Sequence, residues 1–149
     1  MIDDKLVRFV FTHEDDIRRA VFESRNDRHS NTTGGCSGHS RISDPTAMTA
    51  INNVTPLAYV MVDYGSKIGG RKNSFKLGRP ELWLAVVDTT YKFFDGKKQG
   101  QVLDAKFRSG ECRACTCTRL GIKKSWYSVL LADALEHATR LAKGQHLLW

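Results

Sequence analysis

The chain has 149 residues, 41% of them apolar, and a formal net charge of +7. That length suits one domain, or one small domain with an appendage, and the apolar share supports a modest core. No run approaches the ~18 consecutive apolar residues of a membrane span. The start, MIDDKLVRFVF, is acidic and lacks a small-residue cleavage site, so a signal peptide is not expected and a soluble intracellular protein is.

The charge is unevenly placed. From Lys97 to Lys124 eight basic residues face only Asp104 and Glu111, a net of +6. From Ser66 to Arg79 there are five basic residues and no acid, whereas the first 23 residues are net negative. Two basic clusters in an otherwise balanced chain suggest a nucleic-acid footprint; solvated loops are the plain alternative for either cluster alone.

In chain order, residues 5–11 read as a short strand or as the lead into a helix. Thr12-His13-Glu14-Asp15 reads as a helix start, with Thr12 as N-cap and carboxylates in the first turn; Ile17, Ala20 and Val21 give an apolar face to about Ser24. Arg25 to Ser43 (RNDRHSNTTGGCSGHSRIS) has almost nothing to bury and predicts a long exposed loop, carrying Arg25, Arg28, His29, His39 and Arg41. Asp44-Pro45 is an N-cap acid followed by Pro at the first helical position, and predicts a helix through Ala47, Met48 and Ile51. An apolar segment follows, Leu57 to Val62, and then a basic glycine loop from Gly65 to Gly78 (GSKIGGRKNSFKLG), expected to be a mobile surface segment. No GxxxxGK[ST] occurs, which argues against a P-loop enzyme.

Pro80-Glu81 opens a helix through Leu82, Trp83, Val86, Val87, Tyr91 and Phe94, ended by Asp95-Gly96. A shorter helix is expected over Gln101–Phe107, a turn at Ser109-Gly110, a helix from Glu111 to Arg119, and a long last helix over Lys123–Lys143 with Leu130, Leu131, Ala134, Leu135, Ala138 and Leu141 at helical spacing. The fold class is therefore all-α: an N-terminal helix (1–24), polar and basic loops around one helix (25–79), and a helical core (80–149).

The stretch CTRLGIKKSWYSVLLADAL, from Cys117 to Leu135, fits the skeleton of a helix-turn-helix over about 112–135. Cys117 is the small inward residue, Gly121 takes the turn, Leu120 and Ile122 flank it, and Tyr127 and Leu130 form the buried pair on the second helix. Thr116 stands where a larger apolar residue is expected. The register turns Lys123, Lys124, Ser125, Trp126 and Ser128 outward at the positions that enter the major groove in DNA-binding versions of the motif. Trp126 has two readings, stacking or wedging at DNA and packing on the first helix.

Cys112, Cys115 and Cys117 form a C-x2-C-x-C cluster that Cys36 or His39 would complete to four zinc ligands. The helix-turn-helix register needs Cys117 inside, and structural zinc sites come as two spaced pairs. Reduced, partly buried cysteines are therefore expected, with no metal, no cofactor and no disulfide framework. The five histidines are scattered, with no H-E-x-x-H, G-x-S-x-G or paired-carboxylate motif, so no catalytic residue and no enzyme are expected. His137 reads as a packing or surface residue.

On these residues the segment from Val86 to Leu147 resembles the C-terminal part of phage late-gene regulators, whose helix-turn-helix is similar to the sigma-factor domain that reads the −35 element. GGCSGHSRISDPTAM, the basic glycine loop and VLDAKFRSGECRACTCTRLGIKKSWYSVLLADALEHATRLA together resemble the lambdoid phage late-gene antitermination proteins Q, of the phage 21 kind, over most of the chain after Arg25. The resemblance implies a factor of the host bacterial cytoplasm that binds double-stranded DNA at the late promoter. Such a factor loads onto paused RNA polymerase, with its sigma factor, and lets the enzyme read through terminators. It implies DNA contacts at Lys123, Lys124, Ser125, Trp126 and Ser128. Arg113, Arg119, Lys106 and Arg108 would join them, chiefly on phosphates, and Arg71, Lys72 and Lys76 would contact nascent RNA or polymerase. The zinc motif of the lambda version is not carried over, because the cysteine spacing here gives no four-Cys ribbon. The alternatives are a late-gene activator acting at initiation and a small terminase-type packaging protein, although the last helix lacks the long heptad of a ring-forming subunit.

Overall fold

The computed structural model describes residues 2–30, 55–64 and 73–148. Among them are six helices and two strands. The helices are α1 (Ile2–Thr12), α2 (Glu14–Ser30), α3 (Pro80–Phe93), α4 (Lys98–Phe107), α5 (Arg113–Leu120) and α6 (Lys124–Gly144). The strands β1 (Tyr59–Tyr64) and β2 (Asn73–Gly78) pair antiparallel, from Tyr59 opposite Gly78 to Tyr64 opposite Asn73. The chain forms two compact units, Met1–Glu14 with Leu82–Trp149, and Asp15–Glu81. The N-terminal helix thus belongs with the C-terminal helices, and the divisions expected at 24 and 79 do not coincide with these units.

In the first unit, α6 is the central element, with α1, α4 and α5 packed on it. Its buried stripe is Tyr127, Leu130, Leu131, Ala134, Leu135, Ala138 and Ala142, the spacing of one helical face. Alanines at 134, 138 and 142 let neighbouring helices come close, while Leu103 and Val102 of α4 and Val7, Val10 and Phe11 of α1 supply bulk. The Phe11 ring packs on Tyr91 and Phe107, with centroids 5.9 and 5.5 Å away. Buried Glu14 accepts two hydrogen bonds from Arg108, at 2.9 and 3.1 Å, and that guanidinium lies 3.6 Å from the centre of the Tyr91 ring. A charge this buried is tolerable only because it is paired in bidentate fashion.

In the second unit, β1 alternates: Val60 and Val62 are buried, while Tyr59, Met61 and Asp63 face outward. Leu77 of β2, Leu57, Ile17 and Ala20 are buried as well. Arg25 pairs with Glu81, whose other carboxylate oxygen accepts from the Leu57 backbone amide at 3.2 Å.

The chain is mostly helical, as expected, but not all-α. Asn73–Gly78 is a strand rather than part of a loop, because β1 offers it a ladder of backbone partners that local composition does not reveal. The polar stretch after Arg25 begins as helix, since α2 runs on to Ser30. Thr12 does not cap α2: it ends α1, and its hydroxyl donates to the Arg8 carbonyl at 2.8 Å. The helix expected from Asp44-Pro45 and the residues of the glycine loop before Asn73 lie outside the described residues.

Candidate nucleic-acid interface

The candidate site is built on the α5–α6 pair. Helix α5 ends in a left-handed turn at Gly121 (φ 61°, ψ 37°), a conformation that favours glycine. The Ile122 amide donates to the Cys117 carbonyl at 3.0 Å and the Gly121 amide to the Thr118 carbonyl at 3.3 Å, the Schellman pairing that closes a helix end. Lys123 then begins α6 in extended backbone. Cys117, Tyr127 and Leu130 are buried between the helices and the core, and burial raises the Tyr127 phenol.

Thr116, the polar residue at an inward position, is fully buried. Its hydroxyl lies 3.1 Å from both the Cys112 carbonyl and a Glu111 carboxylate oxygen, so the substitution of polar for apolar is satisfied locally.

Lys123, Lys124, Ser125, Trp126 and Ser128 are exposed at the start of α6, and half of the Trp126 surface remains open. Neither lysine makes an ion pair among the described residues. Lys123 stands at the N-cap with no side-chain hydrogen bond to the first amides of α6. Lys123 and Lys124 line an open hollow of about 540 Å³ with Ala114, Thr118, Gly121 and Ile122. Cations beside unsatisfied helix amides favour an anion there.

The arginines are differently placed. Arg113 donates to the Lys124 carbonyl and, at 2.8 Å, to Ser128 Oγ, so it fastens α5 to the first turn of α6. Arg119 is held by Glu111 at 2.8 Å, and this pairing keeps the Glu111 carboxyl below its usual range. Arg108 is held by Glu14. Arg108 and Arg119 share a cleft of about 310 Å³ with Asp95, Asp104, Gln101 and Tyr91, where the acids oppose a phosphate. Lys106 is exposed on α4. Lys76 is exposed on β2 with its ammonium 4.0 Å from the centre of the Tyr59 ring, while Arg71 and Lys72 lie outside the described residues.

Cys112 and Cys115 are joined as a disulfide, and Cys117 is free and buried. This corrects the expectation of reduced cysteines throughout. The two-residue spacing, wrapped into the first turn of α5, brings the Cα atoms to 5.3 Å, within disulfide range. The C-x2-C spacing was the signal for this pair. Among the described residues no cluster of three or more His, Cys, Asp or Glu side chains is disposed to hold a metal. His137 stacks on Phe93 at 4.2 Å and meets the Phe94 ring edge-on at 5.3 Å. No helix among the described residues is long and apolar enough to cross a membrane. No family model, curated protein or solved structure matches the chain.

Proposed function

We propose that the α5–α6 pair is a helix-turn-helix that reads double-stranded DNA, and that the chain is a phage-type transcription antitermination factor. The observation that carries the DNA reading is the exposed, uncapped start of α6, where Lys123 and Lys124 stand unpaired beside Ser125 and Trp126. Inserted N-terminus first, α6 presents these side chains to base edges, and its open amides and lysines meet the backbone phosphates. Arg113 acts in this scheme by fixing the angle between the helices rather than by touching DNA, since its guanidinium is occupied. Lys106 is the further unpaired candidate for a phosphate, and Arg108 and Arg119 are weaker candidates because each would have to leave a carboxylate. Antitermination, with RNA polymerase and its sigma factor as partners in a bacterial cytoplasm, rests on the sequence resemblance and not on the fold. Nascent RNA near Lys76 belongs to the same proposal.

The test is in vitro transcription from a late promoter with a terminator downstream, with and without the protein and its Lys123→Ala/Lys124→Ala variant. Read-through that the variant loses at least tenfold is the expected result. Increased initiation with unchanged termination would replace antitermination by activation, and no effect on either would return the packaging alternative.

A further inference from the structure

The C-x2-C pair sits where its chemistry and its position both matter. Cys112 is the N-cap of α5, and its Sγ accepts a hydrogen bond from the Cys115 amide at 3.1 Å. A sulfur at this position accepts from an amide that lacks a helix partner, and that donor stabilises it as a thiolate once the bond to Cys115 is cut. Both cysteines are exposed, so an external thiol can reach them. Cys117 is buried, and its amide and carbonyl belong to α5, which keeps it out of exchange.

One of the two residues enclosed by the pair fastens α5 to α6. Arg113 lies immediately after Cys112, and its guanidinium reaches the Lys124 carbonyl and Ser128 Oγ and passes 5.4 Å from the centre of the Tyr127 ring. The Cys112 carbonyl, on the other side, is held by the buried Thr116 hydroxyl at 3.1 Å. The first turn of α5 is therefore pinned at three points: the disulfide, Thr116 and Arg113. Cutting the disulfide releases the one pin that restricts the backbone on both sides of Arg113.

We infer that Cys112–Cys115 is a reversible dithiol–disulfide site, and that its state is transmitted through Arg113 to the first turn of α6. The reductant is a small or protein dithiol. Its thiolate attacks one sulfur of the pair and expels the other as a thiolate, giving a mixed disulfide. The second thiol of the reductant then attacks the reductant's own sulfur in that mixed disulfide, expelling the remaining protein sulfur as a thiolate and closing the reductant's disulfide. Two electrons pass to the protein, and two protons from the reductant are shared between the released thiolates and water. Oxidation by a disulfide of the same class runs the steps in reverse. The inference stands independently of the DNA-binding proposal.

The test equilibrates the full chain in mixtures of reduced and oxidised dithiothreitol, alkylates free thiols, and locates them by peptide mass spectrometry. Amide hydrogen exchange is measured over residues 127–131, the first hydrogen-bonded amides of α6, in the same samples. The expected result is a single two-electron transition confined to Cys112 and Cys115, with exchange over residues 127–131 at least threefold faster in the reduced form. Arg113→Gln should abolish that difference while leaving the thiol transition in place. Cys112→Ser/Cys115→Ser should exchange like the reduced wild type over residues 127–131 at every ratio, while residues 134–142 stay as protected as in the oxidised protein, which shows that losing the pair does not unfold the chain. Thiols that stay fully reduced or fully oxidised across all mixtures, or a bond that forms to Cys36 or Cys117 instead, would overturn the site. A clean transition with unchanged exchange would overturn the transmission.

Discussion

At the residue scale, two glycines separate conformational need from spatial need. Gly121 has φ 61°, and nothing lies within 4 Å of where a Cβ would stand, so alanine there suffers only backbone strain. Gly100 has no such torsion, but a Cβ would lie 2.3 Å from the Phe94 carbonyl oxygen, a backbone atom that cannot swing aside. Gly121→Ala should cost about 1 kcal/mol, the usual penalty of a left-handed residue bearing a side chain. Gly100→Ala should cost more, up to about 3 kcal/mol, because the turn after α3 must move. Urea midpoints of the two variants check the order, and a larger loss at Gly121 would contradict it. Gly121 was legible in the sequence because apolar residues flank it in a known skeleton. Gly100 was not, because its constraint comes from a carbonyl six residues earlier that only the folded turn brings close.

At the element scale, the α3–α6 contact carries a pH dependence. His137 on α6 stacks on Phe93 and meets the edge of Phe94 at the end of α3, and burial first, then the charge of Arg140, lowers its pKa. The folded protein therefore binds this proton less readily than the unfolded chain, whose histidine titrates near the ordinary value of about 6.5. The stabilising contribution is fully present above that value and is lost as pH falls through the lowered folded value. Chemical denaturation at pH 7.5 and 5.0 should show a fall in midpoint that His137→Gln reduces, and an identical fall in the variant would remove His137 as its source. The helices themselves were largely readable: Pro80-Glu81, Asp95-Gly96 and Ser109-Gly110 punctuate them, and the apolar stripe of α6 runs without interruption. The hairpin was harder to read. Val60 and Val62 alternate with exposed residues over only a few positions, and β2 buries a single large side chain, Leu77, so its identity as a strand depends on its partner.

At the scale of the whole molecule, the count of 23 lysines and arginines overstates the cations free to meet a polyanion. Arg108 and Arg119 neutralise Glu14 and Glu111, and Arg113 is spent on a carbonyl and a hydroxyl. The basic run from Lys97 to Lys124 was visible in the sequence; its division into internal fasteners and open lysines was not, because pairing depends on acids 8 to 94 residues away. Lys123 and Lys124 remain open at the start of α6. That helix begins on Lys123, one of the poorer capping residues, where aspartate or serine would satisfy an amide and add about 1 kcal/mol. The protein thus keeps a local instability at the point where its proposed function needs positive charge. Lys123→Asp should raise the urea midpoint and lower DNA affinity together, so selecting variants of this chain for thermal endurance would favour ones that no longer act.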